Sequence, residues 1–188
     1  MKLIKKIKID SPIFPNQGIG EIKLGMNSFY LRDIYGANFN NHQNAYSINF
    51  DKKQWTSELC KPFFGSLNLT FLDFLTITIN LYNGSVSHLR VMNTYKGKVD
   101  GIVGIGDLMR EYYELNTELF CEFEDGYFFY WIDKSFGLSF YIGDNLEDFP
   151  DNSLFEKYLD KPILEIEIFD NKQRVAIGAD LPEKWNNN

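Results

Sequence analysis

A chain of 188 residues, 44% hydrophobic and 16% aromatic, carries enough apolar material for a folded core and is not a disordered polymer, despite a formal charge of −7. It holds no apolar run long enough for a transmembrane helix, and two cysteines with two histidines are too few and too scattered for a zinc site or a disulfide-stapled fold. The charge is segregated: residues 107–170 hold 17 acidic and 4 basic side chains, whereas residues 1–106 hold 12 basic and 7 acidic ones.

Residues 1–9 alternate apolar and mostly basic positions without an apolar h-region or a small-residue cleavage site, so they read as a strand and not as a signal peptide. Residues 11–18 are a Pro/Gly loop. Ile22-Lys23-Leu24-Gly25 then leads into a short helix over 27–35, capped by Asn27 or Ser28 and closed by Gly36. Period-2 alternation predicts strands over 45–50, 67–71, 74–81 and 85–93, with an Asn83-Gly84 hairpin turn between the last two and a long loop over 51–65. Residues 93–101 are the join to a second unit that opens the same way. Val103-Gly104-Ile105-Gly106 precedes a helix over 107–115 capped by Asp107; aligned on Gly25 and Gly106, Leu31 meets Tyr112 and Ile34 meets Leu115. Strands follow over 119–124, 127–132 and 138–142, with a tight turn at Asp125-Gly126. An acidic loop (143–150), a short helix (152–159) and a final hairpin from 164–168 and 174–177 complete the unit. The expected fold is α+β, predominantly antiparallel sheet with two or three short helices. It is built as two tandem strand–helix–sheet repeats, 1–95 and 96–188, packed as one domain.

No catalytic set emerges. His88 reads as a half-exposed strand residue and His42 as a solvated loop residue; Cys60 and Cys121 read as reduced, buried thiols in a cytoplasmic chain. The glycines near 18–20 and 101–106 lack the lysine of a phosphate loop and read as turns. Asp144-Asn145-Leu146-Glu147-Asp148 lacks the glycine and terminal glutamate of a calcium loop. Lys2, Lys5, Lys6, Lys8, Lys52 and Lys53 are the argument for nucleic acid, and the acidic half opposes it. No cofactor, metal, nucleic acid or membrane partner is expected.

The remaining constellation is acidic and aromatic. Glu111, Glu114 and Glu118 share a helix face if the helix reaches that far, and Glu118, Glu122 and Glu124 share strand parity opposite Leu119, Cys121 and Phe123. Asp125 adjoins them, with Asp144, Glu147 and Asp148 at the rim. Phe128, Phe129, Tyr130 and Trp131 cannot all face a core, so aromatic surface is expected beside the acids. Rings for affinity and charge for steering describe a protein interface.

Gly18-Ile19-Gly20-Glu21-Ile22-Lys23-Leu24-Gly25-Met26, with a short helix and Gly36 after it, resembles the G-I-G-x-I-x-L-G-M opening of small bacterial proteins, among them immunity proteins of toxin–immunity systems of the contact-dependent growth inhibition type. Residues 95–107 resemble the second element of those proteins, and the layout resembles tandem-repeat folds of the β-lactamase-inhibitor-protein type. The resemblance implies a monomeric, non-enzymatic toxin inhibitor whose acidic face (Glu111, Glu114, Glu118, Glu122, Glu124, Asp125, Asp144, Glu147, Asp148) docks on a basic toxin domain, a nuclease being the natural class. Two other readings stay open: a ligand-binding or enzymatic domain with a Tyr- and Trp-lined pocket between the repeats, covered by Trp55, Phe63 and Phe64, and a homo-oligomer pairing basic with acidic halves.

Overall fold

Period-2 alternation dominates the chain, and antiparallel pairing is its outcome. The computed structural model describes residues 7–35, 38–42, 45–49, 55–59, 65–133, 136–143 and 152–170. In chain order the elements are β1 (Ile13–Phe14), β2 (Gly18–Ile19), β3 (Ile22–Lys23), α1 (Ser28–Tyr35), β4 (Asn38–His42), β5 (Ala45–Asn49), β6 (Trp55–Leu59), β7 (Ser66–Phe71), β8 (Leu75–Asn80), β9 (Ser85–Met92), α2 (Met109–Leu115), β10 (Phe120–Glu124), β11 (Tyr127–Trp131), β12 (Phe136–Tyr141), α3 (Asn152–Leu159) and β13 (Glu165–Asp170). The fold is α+β, mostly antiparallel sheet with few short helices.

The main sheet has eight strands in the order β10-β11-β12-β13-β9-β8-β7-β6. It consists of two four-stranded meanders, β6–β9 and β10–β13, whose last strands pair with each other. At that seam Arg90 stands opposite Glu167, with Leu89 opposite Ile168 and Val91 opposite Ile166 on either side. β1-β2-β3 form a small sheet and β4-β5 a hairpin. Asp125 (φ +48°) and Gly126 (φ +84°) are consecutive left-handed residues between the paired Glu124 and Tyr127, the geometry of a type I′ hairpin whose twist matches the strands it joins.

One sheet face is apolar. Leu69, Ile77, Leu89, Ile168, Leu138 and Tyr130 line up across it, as do Leu75, Val91, Ile166, Phe140 and Phe128. All are buried, and each fully buried aliphatic side chain contributes roughly 1.5–3 kcal/mol. α2 covers this inner face: the Tyr112 ring lies 5.1 Å from Tyr130 and 4.7 Å from Phe140. Tyr158 of α3 stacks on Phe123 at 5.2 Å.

The segment ahead of each of the first two helices is tied to its own meander by the same three backbone hydrogen bonds. In the first unit Gly25 donates to Val86, Val86 to Met26, and Ser28 to Gly84; in the second Gly106 donates to Ile163, Ile163 to Asp107, and Met109 to Lys161. Leu31 and Tyr112, equally placed behind the two glycines, are both buried. Leu115, which aligns with Ile34, is 68% exposed, because α2 ends there.

Several local expectations change. Asn27 caps α1, accepting from the Phe29 N–H at 2.9 Å. Asp107 does not cap α2; its Oδ2 turns back to the Gly104 N–H (2.9 Å) and Lys98 Nζ (2.9 Å), and Leu108 occupies the cap position without a side-chain bond. Residues 7–9 pair in no strand, since Ile9 spends its carbonyl on the Lys96 N–H in the segment joining the units. Strands β1, β2 and β6 occupy stretches expected as loop. Gly36, the rest of the first segment and the second strand of the final hairpin lie outside the described residues.

Candidate outward-face docking site

The predicted acidic surface divides. α2 stops at Leu115 because the Asn116 side chain donates to the Tyr112 carbonyl at 2.9 Å, and β10 starts at Phe120. Glu118 therefore belongs to neither, and sits exposed in the turn between them. Glu111 and Glu114 are exposed on α2, in the helix layer that covers the inner face. There Arg110 gathers acids: it donates to Asp160 at 2.7 Å and to Glu156 at 3.0 Å, and lies 3.8 Å from Glu114. The hydrogen bond from Arg110 holds the Asp160 carboxyl below the usual aspartate range. Glu124 and Asp125 instead close the β10–β11 hairpin and are exposed; Glu122 faces Phe129 in the register, and its side chain is outside the description. Asp144, Glu147 and Asp148 lie outside the described residues.

On the outward face, pairing brings together residues the sequence keeps apart. One row across the sheet reads Glu124, Tyr127, Tyr141, Glu165, Met92; the next reads Glu122, Phe129, Ser139, Glu167, Arg90, Thr76. Phe128 and Tyr130 point inward and are buried, so Tyr127 and Phe129 point out and are half-buried, as the aromatic run required. Tyr127 stacks on Phe129 with centroids 5.6 Å apart and packs against Tyr141 at 4.7 Å. The result is a continuous aromatic strip with carboxylates at both ends. At the seam end, Arg90 reaches Glu165 at 3.6 Å and Glu167 at 3.8 Å, and it is the one Lys or Arg in strands β6–β13 among the described residues. Ser139, in the middle, is 1% exposed, and its hydroxyl has no hydrogen-bond partner among the described residues.

A third row is closed. Trp131, Phe169 and His88 are buried, with ring centroids 5.9 and 5.8 Å from Phe169. The Phe169 ring lies over Gly137, where an added Cβ would sit 2.2 Å from it. His88 is thus not half-exposed but buried; its Nδ1 lies 2.9 Å from the Ser87 Oγ, and its ring packs beside Phe169. His42 ends strand β4 and is not in a loop. Cys121 is half-buried, and Cys60 lies outside the described residues.

Among the described residues no group of three or more His, Cys, Asp or Glu side chains converges on a metal-sized site, and no helix is long and apolar enough to cross a membrane. A cavity of about 710 Å³ opens beside the first small sheet, lined by Ile7, Pro12, Ile19, Ile22 and Leu75 with Lys8, Asp10 and Glu21 among its polar groups. Its described lining contains neither Tyr nor Trp, unlike the pocket anticipated between the units. The acids at 165 and 167 and their tie to Arg90 escaped sequence reasoning. Their parity was readable in Leu164-Glu165-Ile166-Glu167-Ile168, but their neighbours depend on β13 pairing with β9. Comparison with family models, curated proteins and solved structures returns no match to this chain.

Proposed function

We propose that this chain is an immunity protein that binds a basic bacterial toxin domain, a nuclease being the class whose phosphate-binding site is cationic, and neutralises it by occlusion. The observation that carries the reading is the outward strip of Tyr127, Phe129 and Tyr141, bounded by Glu124 and Asp125 at one end and by Glu165 and Glu167 at the other. Half-exposed rings gain free energy by burial against a partner, and the carboxylates around them select a cationic one. The resemblance of the Gly18–Met26 element to toxin-immunity proteins supports a toxin as that partner. Glu111, Glu114 and Glu118 add to the long-range field, which can raise association rates by roughly 10- to 1,000-fold at low salt. The protein acts as a cytoplasmic monomer.

We also propose that the two meanders are tandem repeats. The reading is supported by the threefold match in hydrogen bonds around Gly25 and Gly106, and by the seam. Pairing Val86 with Ile163 makes Arg90 the counterpart of Glu167, the residue it faces, as a local two-fold axis demands.

The test is co-expression with a toxic C-terminal domain encoded immediately upstream of this chain's gene. Growth restored by the wild-type chain and lost with Glu124→Lys/Asp125→Lys supports the reading. Growth restored equally by both chains, with an association rate equally salt-dependent, refutes docking through this face.

A further inference from the structure

We infer that the outward strip recognises arginine, and that the partner reaches it with an arginine-bearing segment. The inference rests on the docking reading above and goes further by naming the side chain. A lysine ammonium is a compact, strongly hydrated charge that needs only carboxylates; a guanidinium is planar, weakly hydrated, and stacks on aromatic faces while its N–H groups pair with a carboxylate. The strip offers the second combination. Tyr127, Phe129 and Tyr141 form one half-buried aromatic cluster on a sheet face, with ring spacings of 5.6 and 4.7 Å, and carboxylates stand at the ends of the Tyr127–Tyr141 row. Arg90 shows that a guanidinium suits this surface: it lies between Glu165 and Glu167 at the seam. Those two acids already share a cation, so the carboxylates open to an incoming one are Glu124 and Asp125, exposed at the far end beside Tyr127. The arriving guanidinium lies on Tyr127 and Tyr141 with its N–H groups on Glu124, and Arg90 remains in place.

The test uses the full chain and two fluorescein-labelled peptides, arginine–glycine and lysine–glycine, of equal length and charge, titrated by fluorescence anisotropy at low and moderate salt. The arginine peptide is expected to bind about 5-fold tighter than the lysine peptide, as stacking on the rings predicts. Tyr127→Leu/Tyr141→Leu is expected to remove that preference while leaving the salt-dependent binding of both peptides. Tyr127→Phe/Tyr141→Phe, which keeps the rings, is expected to retain it and to show that a loss in the leucine variant is not a loss of fold. Equal, salt-dependent binding of the two peptides by the wild-type chain overturns the arginine assignment and leaves an acidic docking face standing. Binding of neither peptide at low salt overturns the docking face itself.

Discussion

Gly25→Ala and Gly106→Ala should cost the same. Both glycines are left-handed, at φ +73° and +91°, and a Cβ added at either meets nothing within 4 Å. The penalty is therefore backbone alone, about 1–2 kcal/mol for an L-residue held in that conformation. It cannot be escaped by relaxing the angle, because each glycine N–H donates at 2.8 Å to the entry of a sheet strand, Val86 in one unit and Ile163 in the other. Gly126→Ala is the contrast. It combines φ +84° with a Cβ 2.1 Å from the Gly143 carbonyl oxygen, so overpacking adds to strain and the expected cost rises to about 3–5 kcal/mol. Urea unfolding followed by circular dichroism and by tryptophan fluorescence reads all three variants, the agreement of the two probes guarding the two-state analysis. A difference of more than about 1 kcal/mol between Gly25→Ala and Gly106→Ala would refute the argument that one backbone device is used twice. A cost for Gly126→Ala no larger than theirs would refute the steric part.

Asn27→Ala should destabilise by about 1 kcal/mol through loss of the α1 cap, whereas Leu108→Asp, at a bare and 42% exposed cap position, should stabilise by about 0.5–1 kcal/mol; thermal unfolding reads both. Burial pushes the Asp107 carboxyl up, but the hydrogen bonds from Lys98 and the Gly104 N–H outweigh it and hold the group below the ordinary 3.8. A depressed carboxylate stabilises above its unfolded value and loses that contribution as pH falls through the folded one. Asp107→Asn should therefore cost about 1 kcal/mol or less at neutral pH, since both partners are partly exposed, and the gap from wild type should close on acidification below 3.8 in urea titrations at stepped pH. Ser139→Ala should stabilise by about 1 kcal/mol, because it removes a buried hydroxyl with no partner among the described residues; unchanged or lower stability in urea would show that the hydroxyl is satisfied.

What the sequence made legible is what neighbours along the chain decide. Asp125-Gly126 announces its hairpin because two adjacent residues must take positive φ, and α3 follows from its flanking loop and Pro162. Strands β1 and β2 are each two residues long, too short for any period to register, whereas β3 falls on the Ile22-Lys23 step that opens the first repeat. The helix ends at Leu115 in sequence and structure alike, and the Asn116 side chain that closes it there rules out the longer helix on which a face shared by Glu111, Glu114 and Glu118 depended. The site failed for a different reason. Parity places Tyr127, Phe129, Glu165 and Glu167 on a face, but which of them meet is set by strand order, and β13 lies beside β9 through a long-range pairing that no local pattern encodes. His88 shows the same limit: its parity is outward, yet it is buried, and the Phe169 ring beside it comes from β13.

The proposed repeat separates what the fold asks for from what a partner asks for. Turned about the seam, the row Glu165, Tyr141, Tyr127, Glu124 falls on His88, Thr78, Asn68, Glu58. The outer acid is common to both, exposed on an edge strand where charge discourages edge-to-edge pairing, so Glu124 has a use in any such sheet. The middle pair differs. In the first unit Thr78 donates to Asn68 at 2.7 Å, a polar pair that satisfies itself. In the second, the same positions hold two half-buried tyrosine rings 4.7 Å apart, which leave apolar surface facing out. The fold accepts the polar solution, so the aromatic one is no structural requirement. Uneven charge along the chain is thus the weaker sign of function, and the Tyr127–Tyr141 pair, set between acids that the fold partly explains, is the stronger one.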